Sequence, residues 1–323
     1  MQYHELRNYG FNLIIKDYAK FPRYLPLPCY MDHGWNTDNQ PLNSDLKTDK
    51  PLMMVFSKRN AKAWKKKSDI PVVIMGSPFV HYKNTHKIKQ KPDAKGAVVF
   101  PGHSTYYIKS QFQVEDYCHV LKKLPKEFQP VTICLFWLDF IDQKTNIYRK
   151  MGFKVVSAGP KFTNSLEFVK NFYNILSNHK YATSNDIGSY TFYAIDFGLP
   201  FFLTGDRPIL FNKGCRDINI GERASIHDYK YGKKAINLFS TGPIKTISQA
   251  QSKYVTKEMG INDCLSPKQM NKLLWKYFNG NNYWIRASFP YFIIFILLKI
   301  IVDGPWGKYI LMWRIKRGKK ITE

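Results

Sequence analysis

Short apolar runs alternate with amphipathic stretches between residues 97 and 205. In the amphipathic stretches the apolar side chains recur every three or four residues, as on one face of a helix. The runs themselves are apolar throughout, which is typical of parallel strands covered by helices on both faces. The pattern therefore predicts the order β-α-β-α-β-α-β-α-β, with strands at 97–100, 131–137, 153–156, 181–184 and 200–203 and helices at 113–124, 144–151, 166–176 and 189–197.

The first 94 residues show a weaker pattern of the same kind. The predicted elements are strands at 52–56 and 72–75 and a basic helix at 60–67. The lysine-rich stretch 83–95 has no apolar period, which indicates a linker. We therefore expect an α/β protein with two Rossmann-like domains, at 1–94 and 95–280, and a ligand cleft where their strands end.

The last segment, residues 281–323, has a different composition. Its apolar stretch 289–302 would extend about 21 Å as a helix, less than the roughly 30 Å core of a bilayer. Aromatic and basic residues follow, a combination typical of the membrane interface. We expect an amphipathic segment lying in the membrane surface, with a core helix and a solvated basic tail as the alternative. The residues expected at the membrane are Phe292, Phe295, Trp306, Trp313, Arg314, Lys316 and Arg317.

The charge balance is strongly basic, because 49 Lys and Arg face 24 Asp and Glu and give a net charge of +25. Such a field attracts polyanions: nucleic acid, anionic lipid or nucleotide-linked substrates. The basic cluster at 58–67 is either a binding face for one of these or a solvated helix surface. Five scattered cysteines and an N-terminus without a signal-peptide pattern indicate a reduced, cytoplasmic protein.

A loop containing a histidine follows the first strand of the large domain. Gly102 allows close backbone approach, and His103 can donate a proton or a hydrogen bond to a leaving phosphate. Ser104 and Thr105 add two hydroxyls. A single histidine at a strand end is more often structural, so the functional interpretation depends on a second loop of the same sheet.

That second loop, residues 183–189, leads from the fourth strand into a helix. It contains Ser184, Asn185, Gly188 and Ser189. Unpaired backbone N–H groups and the helix dipole favour a phosphate at such a position. The alternative is that Asp186 or Ser189 simply caps the helix.

In the small domain, Asp32 and His33 stand side by side before Gly34. Either side chain can remove a proton from an acceptor hydroxyl, and because adjacent side chains of an extended chain point in opposite directions, one of them is expected to face the cleft. An ordinary turn is the alternative. Gly76 and Ser77, which follow the strand at 72–75, are expected to line the same cleft.

The runs 98–104 (VVFPGHS), 130–137 (PVTICLFW), 181–189 (YATSNDIGS) and 198–201 (GLPF) are similar to the donor-binding half of bacterial capsule and lipopolysaccharide glycosyltransferases. Their layout resembles that of the polysialyltransferase, Kdo-transferase and CDP-glycerol transferase families over roughly residues 25–280. Those families share a GT-B fold and transfer without a metal. The chain departs from the sialyltransferase pattern, because Ser104 follows His103 where that pattern has proline, and Asp32–His33 replaces an acidic pair.

The resemblance implies a glycosyltransferase that moves a sugar from a nucleotide-linked donor to a surface polysaccharide or a lipid-linked acceptor, without metal or other cofactor. It implies an acceptor side at 1–94, a nucleotide-sugar side at 95–280, and a peripheral location on the inner face of the cell membrane. His103 would meet the donor phosphate with Ser184 and Ser189, and Asp32 or His33 would be the base. Whether the donor is CMP-linked stays open, and inversion is expected by analogy alone.

Two other classes of protein are compatible with parts of the sequence. The high charge suggests a nucleic-acid-binding protein, although no zinc-finger spacing, RNP-type strand pair or GXXG loop in a KH context is present. A nucleotide-sugar epimerase-like enzyme would share the two-domain scaffold. A metal site is not expected, because His81 and His86 stand in a lysine-rich stretch without acidic or cysteine neighbours.

Overall fold

The computed structural model describes residues 9–32, 34–35, 41, 46, 50–105, 108–141, 144–161, 165–213 and 229–280. The strands are β1 Tyr30–Met31, β2 Met53–Val55, β3 Val72–Ile74, β4 Ala97–Val99, β5 Ile108–Gln111, β6 Val131–Cys134, β7 Lys154–Val156, β8 Tyr181–Ser184, β9 Phe201–Leu203 and β10 Ile209–Asn212. The helices are α1 Phe11–Ala19, α2 Lys58–Lys65, α3 Pro78–Thr85, α4 Val114–Lys122, α5 Trp137–Ile141, α6 Lys144–Lys150, α7 Glu167–Ser177, α8 Ser189–Phe197, α9 Lys230–Phe239, α10 Gln249–Glu258 and α11 Pro267–Gly280.

The larger sheet has five parallel strands in the order β7-β6-β4-β8-β9. All five strands and four helices expected between residues 97 and 203 are present, so the predicted α/β class is confirmed. Numbered along the chain, the strand order is 3-2-1-4-5, which is compatible with a Rossmann-like sheet. The central strands are buried on both faces, and this burial accounts for their continuous apolar sequences.

A second parallel sheet, β1-β2-β3, is formed by the N-terminal part of the chain. Its strands β2 and β3 match the runs predicted at 52–56 and 72–75. The first two strands are buried throughout and the third is half-buried. Both sheets therefore present the carboxyl ends of parallel strands, the location at which open α/β sheets bind ligands.

Several elements were not predicted. Helix α3 occupies the beginning of the stretch interpreted as a linker, and Lys83 in this helix pairs with Asp196 of α8 at 2.7 Å. The rest of the stretch is docked, because the backbone N–H groups of Lys91 and Lys95 donate to the carbonyls of Ser177 and Asn178. This packing was not predictable from the apolar pattern, because the lysines interact through backbone atoms and the ends of their side chains and therefore give no apolar period.

An antiparallel ribbon of β5 and β10 was also missed. Each of its strands has four residues, too few to give a clear alternation. The ribbon matters for the site, because β5 follows the His103 loop and β10 follows Arg207. Asp139 lies in the first turn of α5, where a carboxylate complements the helix dipole.

The two sheets are joined by one continuous hydrophobic cluster, which contains Phe11, Met54 and Phe79 from the N-terminal part together with Phe172, Tyr193, Phe239 and Leu274 from the rest. The rings of Phe79 on α3 and Tyr193 on α8 are stacked with centroids 4.6 Å apart. Helix α8 consequently packs against α3 of the N-terminal part.

In the part of the chain that the structure describes, no helix is both long enough and apolar enough to cross a membrane.

Candidate functional site

The turns after β4 and β8 meet at the point where the order of the large sheet reverses. These strands are neighbours, and the chain leaves them toward opposite edges of the sheet. The backbone N–H of Gly102 donates to Oδ1 of Asn185 at 2.8 Å, and the Ser184 hydroxyl donates to the carbonyl of Phe100. The two turns expected to bind the donor phosphate are therefore in direct contact. A crevice at this reversal is the usual ligand position in a parallel α/β sheet.

Ser184 and Asn185 are the residues that hold the turns together. Both side chains are fully buried. The Ser184 hydroxyl also accepts the N–H of Asp186 at 2.9 Å, and Asn185 donates through Nδ2 to the carbonyl of Asp206 at 3.1 Å. These two side chains, expected to bind phosphate, thus serve as internal clamps of the crevice wall in this structure.

The two glycines of the turns have steric reasons to be glycine. A Cβ atom at Gly102 would lie 2.7 Å from Cγ of Pro208, and one at Gly188 would lie 2.6 Å from the ring of Tyr190. The Tyr190 ring is itself stacked on Phe100 with centroids 5.1 Å apart. Close packing of the turns therefore favours glycine at both positions, whether or not a ligand also approaches them.

His103 lies on the rim of the crevice and is half-buried. Its ring is stacked on that of Phe136, just after β6, with centroids 4.4 Å apart. The Lys161 ammonium is 6.0 Å from the centroid of the same Phe136 ring, so a lysine approaches the aromatic residue that supports the histidine. This side of the crevice is suited to an anion.

The hydroxyls next to His103 hold the start of the ribbon. Ser104 accepts the N–H of Ser110 at 3.1 Å, and Thr105 accepts the N–H of Ile108 at 3.0 Å. Both side chains are half-buried. A hydroxyl that accepts one hydrogen bond still carries a proton to donate, so these interactions are compatible with ligand binding.

Helix α8 begins at the crevice with Ser189, directly after Gly188. The predicted bounds of this helix, 189–197, match the structure. Its first-turn N–H groups supply the positive end of the helix dipole at the crevice. The Ser189 side chain also interacts with the buried hydroxyl of Tyr193. Ser189 and Gly188 are thus well placed for the expected anion contact.

The loop after β1 reaches the same helix. A Cβ atom at Gly34 would lie 3.5 Å from Oγ of Ser189, so the two loops are close neighbours. Gly34 has φ of +115°, a backbone conformation that favours glycine. Asp32 follows β1 and is 4% exposed, and its backbone N–H donates to Met54. His33, the alternative base, lies outside the described residues.

Gly76 and Ser77 belong to a packed junction instead of an open cleft. The N–H of Ser77 donates to the carbonyl of Met259 at 2.9 Å, and Ser77 is 1% exposed. Next to it, the His81 ring lies 2.6 Å from the carbonyl of Met75. Burial lowers the pKa of His81. The expectation that Gly76 and Ser77 line a cleft is wrong, because the end of α10 covers them.

A buried ion pair that the sequence did not predict lies beside this junction. Arg59, counted in the basic cluster at 58–67, turns inward and contacts Glu258 of α10 at 2.8 Å. Trp35 donates its indole N–H to the same carboxylate at 3.0 Å. The Arg59 guanidinium also covers the Tyr231 ring, 4.2 Å from its centroid. Glu258 therefore links Trp35, the residue after Gly34, to α10, which contains Glu258, and to α2, which contains Arg59.

Asp186 and Arg207 are two further residues at the crevice that sequence analysis did not select. Burial raises the pKa of the Asp186 carboxyl to about 7, while the N–H of Ile187 and the charge of Arg207 act in the opposite direction. Asp186 was considered only as a helix cap. Its position at a strand end, directly before a helix, was the sequence signal that could have selected Asp186 as a site residue. No comparable signal in the sequence pointed to Arg207.

The residues expected at the membrane cannot be placed in the fold. All seven residues expected at the membrane fall in 281–323, outside the described residues. Among the side chains that the structure does describe, no group of three or more His, Cys, Asp or Glu is arranged to hold a metal ion. The expectation of transfer without a metal stays a prediction.

No protein-family model matches the chain, and no curated protein matches its sequence significantly. The fold and the site by themselves define an α/β protein with parallel sheets and a crevice at the strand-order reversal. That crevice combines a helix N-terminus, an imidazole, a carboxyl and nearby cations. Such a set can bind a phosphate-containing ligand and can exchange a proton with it.

Proposed function

We propose that this protein is a metal-independent glycosyltransferase of the GT-B type, which uses a nucleotide-linked sugar donor. The observation that carries the proposal is the meeting of the His103 turn and the α8 turn at the switch point, with the Asp32–Gly34 loop of the other sheet against Ser189. An anionic leaving group and an acceptor hydroxyl would then be bound from opposite sides of α8.

The proposed reaction is a single displacement at the anomeric carbon. The acceptor hydroxyl oxygen forms a bond to that carbon, the bond from carbon to the donor phosphate oxygen breaks, and the phosphate leaves with the electron pair. The acceptor proton passes to the base, which is Asp32 or His33. His103 and the N-terminus of α8 stabilise the charge on the leaving phosphate, and the single step inverts the configuration.

The burial of Asp32 fits a base whose orientation is fixed. Asp32 follows β1, the edge strand of the small sheet, and its backbone N–H donates to the carbonyl of Met54 in the neighbouring strand. The turn at Gly34 brings the loop to Ser189, which supports the proposal that the base acts next to a donor phosphate bound at α8. A fixed base next to a bound donor lowers the entropic cost of transfer.

The acceptor is proposed to be a growing surface polysaccharide or a lipid-linked saccharide, with the protein peripheral on the inner face of the cell membrane. The amphipathic composition of 281–323 and the net charge of +25 support this location. Removing residues 289–323 should shift the protein from the membrane pellet to the supernatant. Unchanged pelleting of the truncated protein would contradict the proposed anchor.

A thermal-shift panel tests the substrate class directly. CMP, CDP, UDP, GDP and TDP are compared with short DNA and RNA of equal total phosphate. We expect a clear stabilisation by one nucleotide and none by nucleic acid, because the proposed contacts at His103 and the N-terminus of α8 suit one short phosphate group. A shift with DNA or RNA alone would instead support a nucleic-acid-binding protein.

A variant pair then tests the role of His103. H103A should lower turnover on the order of 10²- to 10³-fold, the usual loss when a group that stabilises developing charge is removed. The matched control is H119A, because His119 is exposed on α4 and belongs to neither turn. Near-normal turnover in H103A, or an equal loss in H119A, would refute the assignment.

A further inference from the structure

A short segment, residues 206–208, is fastened to both turns of the crevice. The carbonyl of Asp206 accepts Nδ2 of Asn185 at 3.1 Å. Pro208 packs so closely on Gly102 that a Cβ atom there would lie 2.7 Å from Cγ of Pro208. Arg207, between these two anchors, therefore has its backbone held at the mouth of the crevice.

The side chain of Arg207 is exposed, whereas Gly102 and Asn185, the turn residues to which its neighbours are anchored, are buried. The structure after Arg207 continues into β10, which pairs with β5 over four residues. The backbone of Arg207 is consequently supported on one side by the turns and on the other by the ribbon. A cation on a fixed backbone loses less entropy on binding an anion than one on a free loop.

The Asp186 carboxyl, in the turn after β8, is near enough to Arg207 to be influenced by its charge. Asp186 is 9% exposed, and its Oδ1 accepts the N–H of Ile187 at 2.7 Å. The charge of Arg207 stabilises the ionised form of Asp186, and the Tyr190 phenol lies near the same carboxyl. Asp186 directly follows Asn185, which holds the carbonyl of Asp206, so the backbone places the carboxyl and the cation on neighbouring segments at the carboxyl end of β8.

We propose that Arg207 is the cation that binds the phosphate of the nucleotide ligand, and that Asp186 is its partner while the crevice is empty. The planar guanidinium can donate two parallel hydrogen bonds to phosphate oxygens, and phosphate competes with the carboxylate for them. Arg207 would act with the N-terminus of α8, so the anion is bound from two directions. This inference rests on the proposed nucleotide-dependent function.

The test is calorimetric titration of the full-length protein with CMP, CDP, UDP, GDP and TDP, and with each parent nucleoside. For the nucleotide that binds, R207Q should weaken affinity by about 10- to 100-fold, as expected for hydrogen bonds to a charged group. R207K should give a smaller loss, because a lysine keeps the charge without the planar pair of donors. Any affinity for the nucleoside should be unchanged in both variants, since it has no phosphate.

Two further variants make the test specific. K109Q removes an exposed cation from the neighbouring strand β5 and should leave nucleotide affinity unchanged. D186N removes the competing carboxylate, so it should bind the nucleotide at least as tightly as the native protein. A loss in D186N equal to that in R207Q would show that Asp186 supports the turn instead of competing for Arg207, and would overturn that part of the proposal.

The outcomes separate the two levels of inference. If the native protein binds none of the nucleotides, the proposed function fails and this inference fails with it. If the native protein binds a nucleotide and R207Q binds it equally well, the inference about Arg207 is wrong while the proposed function stands.

Discussion

Replacing Glu258 with glutamine should destabilise the protein strongly, although no proposed ligand contact is changed. The side chains of Arg59 and Glu258 are 6% and 3% exposed, and their contact is 2.8 Å. E258Q keeps the shape and an acceptor oxygen for the Trp35 indole, but it removes the negative charge that the buried guanidinium of Arg59 contacts. The perturbation is therefore almost purely electrostatic.

The expected size follows from that burial. Removing one partner of a buried ion pair typically costs about 3–5 kcal/mol, because the remaining charge keeps its desolvation penalty. The Tyr231 ring lies 4.2 Å from the guanidinium and offsets part of this loss, by about 0.5–2 kcal/mol. We expect the free energy of unfolding to fall by about 3 kcal/mol.

Urea denaturation, followed by circular dichroism, measures this free energy. The matched control is K58Q on the same helix: the contact of Lys58 with Asp263 is 2.6 Å, but the lysine side chain is 73% exposed. Such a pair contributes roughly 0–1 kcal/mol. The double variant R59M/E258Q should lose less than the sum of its single variants, because it removes both charges. If E258Q costs no more than K58Q, the pair does not support the fold as reasoned.

Three further predictions concern backbone packing and protonation. G260A should lower the free energy of unfolding by at least about 2 kcal/mol, because Gly260 has φ of +64° and a Cβ atom would lie 1.8 Å from the carbonyl oxygen of Phe56. The control G242A, with φ of +69° and open space around it, should cost only about 1 kcal/mol in the same urea assay. Equal losses in the two variants would refute the contact argument. G188A should weaken nucleotide binding, because its Cβ atom would displace the Tyr190 ring. The control G280A should bind normally, since a Cβ atom there meets nothing within 4 Å. Titration calorimetry compares the two variants, and unchanged binding in G188A would contradict the steric reasoning. The pKa of Asp186 is raised from 3.8 to about 7, so the folded state binds its proton more tightly and this contribution to stability is lost as pH rises from about 4 to about 7. D186N should therefore gain stability relative to the native protein across that range in urea titrations, and a pH-independent difference would refute the shift.

Local patterns predicted the elements of the large sheet well. Helix α8 was predicted at its observed bounds, 189–197, with Gly198 marking its end. The loops with candidate chemistry were also located, since they follow strands in the sequence. The ribbon of β5 and β10 was not found, because four-residue strands far apart in the chain carry no period of their own.

The sequence by itself determined that this is an α/β protein and which turns end its strands, because period, caps and apolar runs are local properties. Only the tertiary structure decided which side chains of those turns face the crevice. Ser184 and Asn185 turned inward as clamps, while Arg207 was brought to the mouth by its neighbours on both turns. Arg59 and Glu258 are 199 residues apart, and their contact depends on how α2 and α10 pack. Such contacts follow from strand order and packing, which local patterns do not encode.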